Sequence, residues 1–540
     1  MTPSKLGLQV AEESGPDQSI PRLPTARTAF VGRTLRGPVN RPLLIKSFAE
    51  FQQAFGGLWQ PSLLGYAVEQ FFDNGGREAL IVRVVNGARA VTLTLKAGSQ
   101  ALQLQALRPG TREFLRASVD FDNIAGDEAA VFNLTVQRVR AQGTGQVEDQ
   151  EIFHRLSVSP ADERYLPRAI AQSALIRLVG DMPAQRPDRT LDPASGLATA
   201  YVNSNSDGDD GAPLTDYDLI GSSQDHTGIF ALHRAEVINF LCLPPLSRDQ
   251  DVGPSALLVA ARYCKERRAL LIVDPPSAWE TADDALVGLR DWNFFNENAL
   301  MYFPRVLAHD KLRGHFESFA PCGAVAGMLA RYDDLSPVEL GSDREEPSLR
   351  PGFRPASLVS EDRRMRLAAL GVNTMQAVRS TGRIIVRPRT LASANTANAD
   401  WRYLSSRRLA LFILGSIEHG TRWIAATELA APLCETLIAQ VRGFFEGLHA
   451  AGTFGVRRME DAFFVICDER INNPSAAALS EIQFVIGFAA SREHEFHCFR
   501  ISHSAAGSKV QPVSLNRLNF SQYSPAELEW VDSIADQLKP

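Results

Sequence analysis

TAFVGRTLRGPVNRPLLIKSFAEFQQAFGG (28–57) and LLGYAVEQFFDNGGREALIVRVV (63–85) are the stretches whose reading decides the fold. TAFVG is a continuous apolar run too short for a helix, which reads as a buried strand. Ser47 stands before FAEFQQAF as the cap of a short helix reaching Phe55. Pro61 reads as the first position of a second helix, in which Leu64, Ala67, Val68, Phe71 and Phe72 share one face. Asn74, Gly75 and Gly76 then supply a left-handed stop. ALIVRVV (79–85) is the next buried strand. A strand, a helix and a strand of these lengths make a βαβ unit with parallel pairing.

A second such unit lies downstream. VINFLCL (237–243) ends at Pro244 and Pro245, a helix over 254–267 opens with Gly253 and Pro254, and ALLIVD (269–274) is again a buried strand. Between the two units, VTLTLKA, ALQLQAL, FLRASVDF and VFNLTVQRV alternate with period two. They predict an antiparallel β module inserted within 90–180. Helical spacing returns over 165–177, and the Pro-, Asp-, Ser- and Gly-rich stretch 180–228 reads as loop. Residues 331–365 read as a polar, irregular excursion.

The last third is the most regular. It predicts a helix over 404–419 with Leu409, Phe412 and Ile413 inward, and another over 432–450 with Leu433, Leu437, Val441, Phe444 and Leu448 inward. AFFVICD (462–468), EIQFVIGFA (481–489) and EFHCFRI (495–501) follow as strands. Residues 1–27 read as a free arm in which Leu6, Leu8 and Val10 alternate like a strand without a nearby partner. A second arm beyond Ile501 carries the extended SKVQPVSLNRL, and 525–538 has helical spacing. The partner of the first arm is expected on another molecule.

The fold class is therefore α/β and multidomain. Its expected segments are an amino-terminal arm (1–27), an α/β core in two parts (28–89 and 181–400), the β module (90–180), a carboxy-terminal α/β domain (401–503) and a final arm (504–540). Length agrees, since 540 residues suit several domains of roughly 100 to 200 residues. The six cysteines are scattered without a C-x-x-C pair and read as reduced core thiols. There is no apolar run of membrane-spanning length, and the first residues lack a signal-peptide core. A formal charge of −6 without a lysine-rich run argues against nucleic acid as a partner.

Enzyme signatures are missing: there is no Walker A loop, no G-x-G-x-x-G after a strand, no G-x-S-x-G and no H-E-x-x-H. Asn203 to Gly208 opens like a calcium loop, but Leu214 stands where the bidentate glutamate belongs. His494, His497 and Cys498 lie on a strand whose alternation sends the two histidines to opposite faces. Asp274, at the end of a buried strand, is where an α/β enzyme would hold a carboxylate; its plainer reading is a turn former. Arg407 and Arg408 read as a solvated helix face or as a partner contact. No catalytic residue, cofactor site or metal site is expected.

The blocks 28–57 and 63–85 resemble the opening of contractile tail sheath proteins. DGAPLTDYDLIG (210–221), INFLCLPP (238–245), RYCKERRALLIVDPP (262–276), ALMYFPR (299–305), GAVAGMLAR (323–331), GVNTMQ (371–376) and WRYLSSRRLALFI (401–413) resemble later landmarks of that family, in family order. The block from HGTRWIAATE through Cys467 and Asp468 to Ile501 resembles its carboxy-terminal assembly domain.

The resemblance implies a non-enzymatic subunit that polymerises helically around an inner tube and contracts, with baseplate and tail terminator as further partners. No nucleic-acid contact and no membrane insertion are implied. The place of action would be a virion tail or injection particle assembled in a bacterial cytoplasm. It implies arms that add strands to neighbouring subunits, anchored at Leu6, Leu8, Val10, Val510, Val513 and Leu515. The accepting sheet would carry Phe496, Cys498, Phe499 and Ile501, and Arg407 and Arg408 would meet the tube or lattice. The alternatives are a sheath-derived adaptor or terminator, and an α/β enzyme without a linear motif.

Overall fold

The computed structural model describes residues 19–513, apart from 142, 193–199, 293, 341–347, 376–386, 393–400, 427–430, 456–457, 469–470, 473–481, 491–495 and 506. These residues form two compact units. The larger contains 26–332 and 347–394; the smaller gathers the described residues of 1–25, 333–346 and 395–540.

In the larger unit, β1 (Thr28–Gly32) is buried throughout. The short strand β2 (Leu43–Ile45) leads to α1 (Phe48–Phe55), whose cap is Ser47 with its side chain accepting from the Glu50 backbone N–H. Helix α2 (Leu64–Asp73) begins at Leu64 and not at Pro61, because Trp59 and Ser62 close a turn across the proline. Strand β3 (Ala79–Arg83) returns parallel to β1, as the βαβ reading requires.

The β module follows, as β4 (Thr92–Ala97), β5 (Gln100–Ala106), β6 (Phe114–Asp120), β7 (Val131–Val139) and β8 (Val147–Ser157). The helical spacing over 165–177 produces only one turn, α3 (Leu166–Ala169), before β9 (Ile176–Leu178) joins β5. Within the predicted loop 180–228 the chain adds β10 (Val202–Asn203) to β6 and forms α4 (Asp216–Ile220) behind a Thr215–Asp218 capping box. The sheets β10-β6-β7-β8 and β4-β5-β9 enclose one core, with Leu93, Leu104, Leu115, Phe132 and Leu134 inside.

The frame resumes with β11 (Phe240–Cys242), α5 (Pro254–Arg267), β12 (Leu270–Val273), α6 (Ala282–Asp291) and β13 (Ala299–Phe303). Strands β14 (Val306–Asp310) and β15 (His315–Phe319) form a hairpin before α7 (Cys322–Leu335), and β16 (Arg354–Pro355) pairs with β14. Helix α8 (Glu361–Ala369) and β17 (Val372–Thr374) complete the unit. The excursion expected over 331–365 thus carries the end of one helix and the start of another.

The main sheet has the order β17-β13-β12-β11-β1-β3-β2, parallel except for the edge strand β2. A parallel sheet needs cover on both faces. On one face Val31, Val82, Leu241, Leu271 and Met301 pack against α5, α6 and α8. On the other, Phe30 meets Phe71 of α2 edge-on at 5.6 Å, and the Cys242 thiol reaches the Cys322 carbonyl of α7.

Helices α2 and α7 approach until side chains have no room. A Cβ at Gly323 would sit 2.0 Å from the Ala67 carbonyl oxygen, and one at Gly327 would sit 2.2 Å from that of Phe71. Replacing a helix-interior glycine by alanine ordinarily gains up to about 1 kcal/mol. At Gly323 the clash reverses the sign: Gly323→Ala should lose about 1 to 3 kcal/mol. Gly443→Ala, at a helical position where a Cβ meets nothing within 4 Å, should be neutral or stabilising. Thermal unfolding of the two variants checks the contrast.

Candidate functional site

The smaller unit packs α9 (Leu404–Gly420) and α10 (Ala431–Ala450) on one face of a four-stranded antiparallel sheet in the order β18-β19-β20-β21. The strands are β18 (Phe463–Ile466), β19 (Ile482–Phe488), β20 (His497–Ser504) and β21 (Gly507–Pro512). Phe463, Phe484, Ile486, Phe488, Phe499 and Ile501 point to the helices and meet Leu409, Ile413, Leu437 and Phe445. Phe464, Val485 and Cys498 occupy the opposite face, with Ile466 and Phe496 against them.

The four residues assigned to a neighbour-accepting sheet therefore divide. Phe499 and Ile501 face the helices, Cys498 faces away, and Phe496 precedes the strand. Strand β20 is an interior strand of this chain, because β21 pairs along it from Ser504↔Gly507 to Phe499↔Pro512 and Val513 N–H continues the ladder to the Cys498 carbonyl. The carboxy-terminal stretch that the sequence reading sends to a neighbour here closes its own sheet. Val510 opposite Ile501 is half-buried, and the remainder of β21 is mostly exposed. Ser508 adds one polar tie: its Oγ lies 2.7 Å from His503 Nδ1, while His503 Nε2 lies 2.8 Å from Thr421 Oγ1. Leu6, Leu8, Val10 and Leu515 lie outside the described residues, as does the 525–538 segment.

The free-arm reading of 1–27 is corrected where the chain is described. Ile20 is buried in the core of the smaller unit, and it and Pro21 pack on Gly420. Arg22 pairs with Glu339 at 2.7 Å, and Leu23 N–H donates to Ser416 Oγ.

Arg407 and Arg408 are corrected as well. They are 7% and 8% exposed, so neither is a solvated face. Arg408 makes a two-pronged pair with Asp333 at 2.7 and 2.6 Å and donates to the Thr25 carbonyl, while Thr25 Oγ1 donates to the same carboxylate. The Arg407 guanidinium lies 4.9 Å over the Trp401 ring, which in turn lies 4.2 Å from the His497 ring. A helix start with two arginines looked like surface because the sequence could not show that Asp333 and Trp401 converge on it.

The residues weighed for chemistry serve local structure. Asp274 Oδ1 accepts the Cys322 N–H at 2.7 Å and so caps α7. Its Oδ2 is shielded and without a partner, and burial pushes the carboxyl up from 3.8 to about 6. It borders a cavity of about 390 Å³ at the carboxyl ends of β11 and β12, walled by Leu243, Leu257, Ile272, Trp292 and Phe294. The described lining holds no histidine, cysteine, serine or lysine that could act with the carboxylate.

In the calcium-like stretch, Asp207 accepts from the Thr92 N–H and hydroxyl, and Asn205 donates to Thr92 and Thr94. His494 lies outside the described residues. Among those described, no group of three or more His, Cys, Asp or Glu could hold a metal ion, and no helix is long and apolar enough to cross a membrane.

No sequence-family description and no curated protein matches this chain by sequence. Its fold, however, is that of contractile sheath proteins. A sheath tail protein from Listeria innocua superposes with a TM-score of 0.58 at 10% identity, over 90% of this chain and 97% of that one. The sheath of the extracellular contractile injection system PVC, in its contracted state, gives 0.52 at 14% identity over 92% and 96%. The contracted helical sheath of the anti-feeding prophage gives 0.52 at 14% identity over 92% and 98%.

Two measurements test the local assignments. Breaking a buried pair leaves the other charge without compensation, so Arg408→Ala should destabilise the protein by about 3 to 5 kcal/mol in urea unfolding. For Asp274 the raised carboxyl means that the folded state holds its proton more tightly than the unfolded one. Its contribution is complete below 3.8 and is lost as pH rises through about 6. Asp274→Asn keeps the cap without the ionisation. Its stability relative to the native protein should therefore increase between about pH 4 and about pH 7, as followed by thermal unfolding.

Proposed function

We propose that this chain is the structural, non-enzymatic subunit of a contractile tail sheath, polymerising helically around an inner tube and shortening to drive that tube through a target envelope. One observation carries the reading: more than nine-tenths of the length of each sheath protein compared is matched by this single chain, both units included. Other copies of the chain, an inner tube, a baseplate and a terminator are then its partners, in a tail or injection particle.

The physics of β21 supports the role. A net gain of roughly 1 kcal/mol per hydrogen bond is set against roughly 1 to 2 kcal/mol per backbone residue ordered. With Val510 as its principal apolar anchor, β21 is held marginally and can leave β20 for the same register on a neighbour. An exposed strand edge is the natural receptor for an extended segment, and head-to-tail addition without closure makes a filament. Leu6, Leu8 and Val10 on one side, and Val510, Val513 and Leu515 on the other, are the anchors of this exchange. The domains would move as nearly rigid bodies on contraction, with the arms as hinges.

Electron microscopy of the chain expressed alone at high concentration should show hollow, striated cylinders. A variant lacking residues 1–18 should give folded protomers of unchanged circular dichroism and no long cylinders. Monodisperse protomers of the full chain, even with the tube protein co-expressed, would overturn the sheath reading in favour of an adaptor or terminator.

A further inference from the structure

Six cysteines occur in the chain, and two of them meet in a way the sheath role does not use. Cys434 lies in the first turns of α10, and Cys467 directly follows β18. Their sulfur atoms are 2.9 Å apart, closer than unbonded sulfurs rest. Cys467 is held from its other side: its Sγ points to the Gln483 carbonyl, and the Asn472 amide group is 3.7 Å away. That amide exchanges two hydrogen bonds with the Gln483 backbone, which ties the position of Cys467 to β19. Helix and sheet thus aim the thiols at each other through regular elements that pack in one core.

The two thiols differ in access. Cys467 is 3% exposed, whereas Cys434 is half-buried. Cys242, Cys264, Cys322 and Cys498 are buried and offer no comparable entry to a reagent.

We propose that Cys434 and Cys467 are a disulfide-forming site, which closes when the protein meets a low-molecular-weight disulfide such as oxidised glutathione. The Cys434 thiolate attacks one sulfur of the oxidant, breaking its S–S bond and releasing one glutathione thiolate. The Cys467 thiolate then attacks the Cys434 sulfur of the mixed disulfide, forming the protein S–S bond and expelling the second glutathione thiolate. Two protein thiols are oxidised, one external disulfide is reduced, and the two protons leave with the two glutathione molecules. Burial and the neighbouring Cys434 push the Cys467 thiol up, so closure accelerates as pH rises. The bond pins the start of α10 to the end of β18 and should raise the thermal midpoint.

The test uses the full chain, incubated under native conditions with oxidised glutathione, then alkylated, digested without reductant and analysed by mass spectrometry. The expected product is a linked pair of peptides carrying Cys434 and Cys467, together with a raised unfolding midpoint that dithiothreitol reverses. Cys467→Ser should stop at a glutathione adduct on Cys434, and Cys434→Ser should leave Cys467 unreacted. The measurement on the native chain stands even if a variant fails to fold. Recovery of both thiols as alkylated peptides, or a stable Cys434 adduct without closure, would overturn the proposal.

Discussion

A parallel sheet with two apolar faces is the constraint on which the larger unit depends. Strands β1, β3, β12 and β13 are buried along their whole length, so neither face can be left to water. Helices α5, α6 and α8 cover one face with alanine and leucine side chains and with Tyr263. On the other, α2 and α7 come so near each other that Gly323 and Gly327 must be glycine. That contact brings Cys322 to the Asp274 carboxylate and lets Phe71 reach Phe30. The residue that resembled a catalytic group is there to start the helix that closes the sheet.

Buried charge recurs as a means of specifying geometry. Arg83, at the end of β3, is 1% exposed and donates to the Gly37 and Pro109 carbonyls, with burial pushing it down to about 10. Asp310 is fully buried and receives the Tyr66 hydroxyl, two backbone N–H groups and Arg248. Arg408 and Asp333 are the corresponding pair in the smaller unit. Desolvation offsets much of the attraction in such pairs, so their effect lies in selecting one arrangement: a misplaced partner leaves an uncompensated charge.

The smaller unit combines a solid core with a weakly held edge. Its aromatic side chains interlock, Phe445 stacking on Phe463 at 4.8 Å and Phe488 on Phe499 at 5.8 Å. Strand β21, by contrast, contributes little apolar surface and depends on its ladder to β20 and on the Ser508–His503–Thr421 relay. Local stability is lowest where burial is thinnest, and in this unit that is β21.

Apolar pattern, with Gly253 and Pro254 marking one helix start, determined the strands TAFVG, ALIVR, FLC and LLIV and the helices expected over 254–267, 404–419 and 432–450, because a fully buried strand or a striped helix writes its environment into consecutive residues. The family resemblance, carried by many short blocks, pointed to the fold that the solved sheath structures share. Tertiary structure decided the rest. Strand β2 escaped because Leu43 and Leu44 are exposed on an edge, and the spacing over 165–177 collapsed to one turn because Ile176 is needed in the β module. Arg407 and Arg408 turned inward, Ile20 docked on α9, β21 closed its own sheet and Cys434 met Cys467, each through partners distant in sequence. Apolar pattern records the burial of continuous strands and striped helices; the burial of a charged or isolated residue, and the partner it meets, are set by the folding of distant segments against each other, and local sequence carries no trace of that.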